Sequence, residues 1–202
     1  MVQRGQFLER ATLIPSGKNT LEGLWHRGTK GPAALLIPPQ PGEGSMDAAA
    51  LNELAFALSR AGHPSLRFNF GGVGASQGSS KKLAQLEADG RAALAVLREN
   101  AELHEVAAVA FRSGTEVALR LLDDVAAVVL VSPPEYLELK PLAGAQVGAL
   151  FAIAESDPLR AKWSRHAAET GDRLAVVEGA DPAWNRGLVQ LGRTVVEFFE
   201  RP

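Results

Sequence analysis

Cysteine is absent from the 202 residues, which excludes disulfides, a thiolate nucleophile and any zinc–thiolate site. There are only four histidines, so imidazole chemistry has few places to come from. An excess of positive charge is also lacking: 21 Lys and Arg face 23 Asp and Glu, and the basic residues are scattered rather than grouped. Without a basic stripe to follow a phosphate backbone, nucleic acid is not an expected partner. No apolar run approaches the length of a membrane span, and the polar opening Met1-Val2-Gln3-Arg4 lacks a signal core. The sequence therefore predicts a cytoplasmic protein with no membrane contact.

What is present is an ordinary globular composition, 46% hydrophobic and 22% charged, long enough for one α/β domain spanning 1–202 with a full core. Residues 7–15 and 20–27 alternate apolar and polar side chains around Ser16-Gly17-Lys18-Asn19, a hairpin pattern. From residue 33 the pattern changes. Continuous apolar strands at 33–37, 65–70, 106–111, 125–131, 147–154 and 173–178 alternate with helical stretches near 47–61, 81–99, 159–169 and 182–200. Strands that are apolar throughout are buried on both faces, so the expected fold is a three-layer α/β/α sandwich. Its sheet is mostly parallel and doubly wound, with the hairpin as an antiparallel edge. Ligands of such sheets bind beyond the carboxyl ends of the strands, which selects the loops at 38–47, 71–80, 112–115, 132–140, 155–159 and 179–184.

Residues 106–118 read as a strand turning directly into a helix. A tight strand-to-helix turn needs small residues two before and two after its apex. An apex at Arg112 has Ala110 and Gly114 as flanks; an apex at Ser113 has Phe111 and Thr115, which are too large. Sterics thus put Arg112 at the apex, where a serine hydrolase carries its nucleophile, and a guanidinium cannot attack a carbonyl.

Two further stretches carry a resemblance. Pro38-Pro39-Gln40-Pro41-Gly42-Glu43-Gly44-Ser45-Met46-Asp47 is similar to H-P-H-P-x-x-G-G-S-M-D, and Leu66-Arg67-Phe68-Asn69-Phe70-Gly71-Gly72-Val73-Gly74-Ala75-Ser76-Gln77-Gly78 to L-R-F-N-F-R-G-V-G-x-S-x-G. Both resemble a small bacterial branch of the α/β-hydrolase superfamily, and with the strand order the likeness extends over nearly the whole chain. The resemblance implies the α/β-hydrolase fold and a Ser, Asp, His triad in that chain order. At the elbow G-F-S-F-G resembles Ala110-Phe111-Arg112-Ser113-Gly114, so Arg112 stands for the nucleophile. After the seventh strand G-x-x-D resembles Ala154-Glu155-Ser156-Asp157, so Asp157 keeps the acid. After the eighth, G-A-D-H-F-F resembles Gly179-Ala180-Asp181-Pro182-Ala183-Trp184, so Pro182 stands for the base.

With two of three triad members replaced, no catalytic residue is expected and the chain reads as a pseudo-hydrolase; loss of such a pair costs roughly a millionfold in rate. His26, His63, His104 and His166 do not replace the base: the first lies in the opening hairpin, the next two precede strands and so fall at the wrong end of the sheet, and the last lies on the exposed face of a helix. The oxyanion hole would draw on the N–H of Ser113 and, among the prolines of the first loop, on that of Gln40. The alternative is a divergent serine esterase using Ser113 with a base not recognisable in the sequence.

The expected binding residues are Arg112, Ser113, Gln40 and Asp157, serving a small anionic ligand or a protein partner, with a homo-oligomer left open. The preferred structural reading is an ion pair between Arg112 and Asp157 filling the vacated pocket. No cofactor is expected: the first parallel strand is followed by no G-x-G-x-x-G, and Glu155, Asp157 and Asp181 match no metal-binding spacing. Gly71, Gly72, Gly74 and Gly78 are expected to serve the backbone, and Glu87 and Asp89 to lie on a solvated helix face. A structural-subunit role would require an apolar patch, for which Pro133, Pro134, Tyr136 and Leu137 are the candidates.

Overall fold

The structure, a computed structural model, describes residues 9–200; the part of the first predicted strand at residues 7 and 8 lies outside them. Eight strands form one sheet in the order β1-β2-β4-β3-β5-β6-β7-β8. The opening hairpin is β1 (Arg10–Ser16) and β2 (Asn19–His26), antiparallel to each other, with β2 antiparallel to β4 (Ser65–Phe68). The remaining strands, β3 (Ala33–Ile37), β5 (Val106–Phe111), β6 (Ala127–Val131), β7 (Gly148–Ala154) and β8 (Arg173–Val177), run parallel. This is the expected α/β-hydrolase architecture.

The strands are apolar throughout because both faces are covered, and the period of two sorts their side chains. Leu35 and Ile37 of β3 join Ala108 and Ala110 of β5 in one core, whereas Leu36 joins Val109 in the other. Against the first face pack α2 (Leu83–Ala101), the short α3 (Gly114–Ala118) and α5 (Arg160–Thr170), through Leu86, Leu94, Val117 and Trp163. Against the second pack α1 (Ala49–Ala61) and α6 (Leu188–Glu200), through Leu51, Leu54, Leu58, Leu191 and Val195. Helix α1 ends because Gly62 turns into the left-handed region at φ 94°, its N–H reaching back to the carbonyls of Leu58 and Ser59. A four-residue helix, α4 (Lys140–Ala143), follows β6.

Three local expectations change. Asp89 is not on a solvated face but buried, where it accepts hydrogen bonds from the Ser16 hydroxyl (2.6 Å), the Gly71 N–H (2.9 Å) and the Ser80 hydroxyl. It clamps the hairpin and the glycine-rich turn to α2, a role local sequence could not display because its partners lie up to 73 positions away. After β6, Pro133 and Leu137 turn inward and only Tyr136 is well exposed, so no extended apolar patch forms there. Finally, α6 begins at Leu188 rather than near 182. No helix of the described residues is long and apolar enough to cross a membrane.

Strands β3 and β4 wind one way from the centre of the sheet and β5 onward the other, so the loops after β3 and β5 diverge over a shared crevice. Such a switch point is where an open sheet offers a ligand its deepest footing.

Candidate functional site

At that crevice Arg112 follows β5 directly and adopts φ 50°, a left-handed conformation that side-chain-bearing residues seldom take. Its N–H donates to the Val131 carbonyl (2.9 Å), and its own carbonyl accepts both the N–H (3.0 Å) and the hydroxyl (2.6 Å) of Thr115, which locks the turn. Gly114 must be glycine: a Cβ there would stand 2.2 Å from the carbonyl oxygen of Pro38. The loop after β3 therefore presses onto the turn, and this contact is what demands a small residue two positions past the apex.

The Arg112 guanidinium lies 5.1 Å from the centre of the Phe111 ring and donates from Nη2 to the Pro182 carbonyl at 3.1 Å. The expected pair with Asp157 does not form; no ion pair joins these residues among those described. Asp157 instead accepts the N–H of Leu159 through Oδ1 at 2.8 Å, a bond over two residues that leads the chain into α5. Asp157 thus finds its partner two residues away, and Arg112 finds its own in the Pro182 carbonyl.

Pro182 lies in a turn rather than a helix. Asp181 Oδ1 accepts the N–H groups of Ala183 (3.0 Å) and Asn185 (3.3 Å), and Trp184, at φ 58°, buries its ring while Nε1 donates to the Ser132 hydroxyl at 3.0 Å. Desolvation works against the Asp181 charge, but the N–H groups of Asn185 and Ala183 and the nearby Arg186 hold its carboxyl below the ordinary value. Glu155 accepts the N–H of Gly179 at 2.9 Å. The three carboxylates of these loops are thus engaged in shaping their own backbone, and no group of three His, Asp or Glu side chains among the described residues is arranged to hold a metal.

Ser113 is buried and faces the loop after β3. Its hydroxyl accepts the N–H of Gln40 at 2.9 Å and donates to Glu43 Oε2 at 2.5 Å. The Gln40 side chain in turn donates to the Ser113 carbonyl (3.3 Å) and to the Glu116 carboxylate. The N–H expected to serve an oxyanion is thereby directed at a hydroxyl. No imidazole of the described residues is bonded to Ser113. His63 Nδ1 lies 3.1 Å from the Pro32 carbonyl and His26 3.9 Å from Glu9, both buried at the end of the sheet where the parallel strands begin. His166 is not exposed as expected but half-buried against Phe151, with Nε2 3.1 Å from Asp172.

The structure thus brings Arg112, Ser113 and Gln40 together and leaves Asp157 bonded within its own loop. Sequence reasoning missed Glu43 and Glu116. A carboxylate set between Gly42 and Gly44 is the one local sign of the first, and nothing marks the second, a helix residue until folded against Gln40. Burial, and after it the charges of Glu43 and Glu116, raise the Tyr136 phenol above its ordinary pKa. Beside them opens a cavity of about 350 Å³ walled by Pro39, Glu43, Asp47, Ala49, Phe111 and Arg112. Asp47 is tied to the buried Arg67 at 3.1 Å, and Arg67 also grips Glu9, at 2.5 Å, and the Met46 carbonyl, at 2.9 Å. The loop that carries Glu43 is in this way anchored to β4.

No protein-family model matches the chain, and no curated protein sequence is similar to it. Solved structures are. A protein of unknown function from Agrobacterium tumefaciens, placed among the α/β hydrolases, superposes with a TM-score of 0.81 at 20% identity, over 96% of this chain and 95% of that one. An α/β serine hydrolase homologue from Coxiella burnetii gives a TM-score of 0.79 at 22% identity, covering 98% of this chain and 99% of the other. A serine hydrolase without a lid from Xanthomonas campestris gives 0.76 at 20% identity, covering 96% and 94%. The similarity extends over almost the whole of each chain and shows a shared fold.

Proposed function

We propose that this chain is an α/β-hydrolase-fold protein that binds a ligand in the crevice after β3 and β5 and does not hydrolyse esters there. The observation that carries the reading is the occupant of the turn: the residue at φ 50° is Arg112, and the neighbouring hydroxyl of Ser113 is committed to Gln40 and Glu43. An acyl-transfer site needs a nucleophile beside a base and a donor pair aimed at the developing oxyanion. Here the residues that the resemblance sets at the positions of nucleophile and base are Arg112 and Pro182, and the Gln40 N–H is already satisfied.

The alternative, an esterase working through Ser113, rests on one observation of its own, the bond from that hydroxyl to the Glu43 carboxylate, which would have to act as base. Purified protein assayed with p-nitrophenyl acetate and butyrate separates the two readings. The binding reading expects a rate no higher than buffer. Hydrolysis that Ser113→Ala abolishes and a serine-directed phosphonate blocks would establish the esterase.

A further inference from the structure

The cavity beside Arg112 has charges of opposite sign among its lining residues that are not paired with one another. Arg112 and Glu43 both line it, yet no ion pair joins them among the described residues. Each is held by a neutral partner instead. Arg112 gives one N–H to the Pro182 carbonyl and rests on the Phe111 ring, which leaves further donors of its five-donor fork for a ligand. Glu43 takes the Ser113 hydroxyl on Oε2, which leaves Oε1 and its charge. Asp47, which also lines the cavity, has its Oδ1 on Arg67.

A simple anion drawn to Arg112 meets the field of Glu43 and Asp47, and a simple amine drawn to the carboxylates meets that of Arg112. A molecule bearing both charges is opposed by neither. The rest of the lining is apolar or small, Pro39, Ala49 and Phe111 among it, and about 350 Å³ lies at the lower end of small-molecule sites.

Resting on the binding reading above, we propose that the crevice takes a small zwitterion with an apolar body, an aliphatic α-amino acid or its like, with its carboxylate on Arg112 and its ammonium on Glu43. Ser113 is then a positioning residue: its hydroxyl, fixed by the Gln40 N–H, holds the Glu43 carboxylate in place.

Calorimetric titration of the full chain with three molecules of one shape tests this: L-valine, isovalerate, which lacks the ammonium, and isobutylamine, which lacks the carboxylate. Valine is expected to bind at least about tenfold more tightly than either half, which is about 1.4 kcal/mol. Arg112→Gln and Glu43→Gln should each remove that advantage, the first by weakening valine toward isobutylamine and the second toward isovalerate. Ser113→Ala should weaken valine while leaving isovalerate unchanged. Thermal melts of each variant establish that it is folded. Isovalerate binding as tightly as valine, isobutylamine doing so, or no heat from valine would each overturn the proposal. Ester hydrolysis on the same preparation reports separately on the binding reading, since hydrolysis without valine binding overturns both and no hydrolysis without valine binding overturns this inference alone.

Discussion

Arg112 donates to the main-chain carbonyl of Pro182 at 3.1 Å, so the two residues standing where the resemblance implies a nucleophile and a base touch each other across the crevice. Because the acceptor is a neutral carbonyl at a partly open position, this contact is a modest contributor to stability. Arg112→Ala is expected to cost about 1 kcal/mol or less in urea denaturation. A loss several times larger would indicate a buried ion pair of the kind the sequence suggested with Asp157.

The stabilising arginine is a different one. The side chain of Arg67 is 8% exposed, paired with Glu9 and Asp47 and bonded to the Met46 carbonyl and the Asn52 side chain. Burial opposes its charge, but Glu9 and Asp47 more than compensate and raise its pKa. Its loss leaves the Met46 carbonyl and the Asn52 side chain without their donor, while Glu9 and Asp47, 25% and 65% exposed, regain water, so Arg67→Ala should cost roughly 1–3 kcal/mol. The measurement is the shift in denaturation midpoint. Because the loop bearing Glu43 is anchored here, ligand binding should weaken with it.

Acid should destabilise the protein through its buried histidines. Burial lowers the pKa of His63 and of His26 from 6.5; the charge of Glu9 opposes the shift at His26 without reversing it, and Arg67 adds to it. A base whose folded pKa is depressed binds its proton more readily in the unfolded chain. Its contribution is therefore complete above the unfolded pKa of 6.5 and is lost as pH falls from there toward the lower folded value. Melting temperature should decline on acidification below about 6.5, and His63→Leu should flatten that decline. A profile unchanged in the variant would remove His63 as a cause.

Contact decides the turn's glycine. A Cβ at Gly114 would meet the Pro38 carbonyl oxygen at 2.2 Å, a distance no rotamer change can relieve because the backbone sets the position of both atoms. Gly114→Ala should cost about 1–3 kcal/mol or more and displace the loop after β3. Weaker binding of any crevice ligand should accompany the loss of stability, read by the same titration.

If the crevice is a hydrolase site with its chemistry exchanged, returning the chemistry should restore some rate. Arg112→Ser combined with Pro182→His places a hydroxyl at the φ 50° position and an imidazole on the loop it faces, with one Asp157 oxygen still bonded to Leu159. The double variant should hydrolyse p-nitrophenyl acetate on the order of tenfold faster than either single variant. Equal rates for all three would argue that the scaffold no longer holds these positions in register.

Much of this was legible in the chain. Apolar runs such as 106–111 and the helical spacing between them specify a sheet buried on both faces, because strand and helix periods are properties of local sequence. The apex at Arg112 also followed from its neighbours, since a tight turn excludes large flanks whatever surrounds it. The start of α6 did not follow. Residues 182–187 have no strong helix breaker beyond Pro182 and Gly187, and it is Asp181 accepting two N–H groups, with Trp184 inserted under Ser132, that holds them out of the helix.

What the sequence alone determined is thus the layer order, the crevice and the identity of the side chain at its apex. Only the tertiary structure decided whom those side chains meet. Gln40 and Ser113 are 73 positions apart, Glu43 and Ser113 are 70 apart, and so are Arg112 and Pro182. Over such separations the partner of a polar group is chosen by loop paths and burial rather than by propensity. Arg112 accordingly turned to a main-chain carbonyl, Asp157 to the backbone of its own loop, and Ser113 to a carboxylate that no motif had marked.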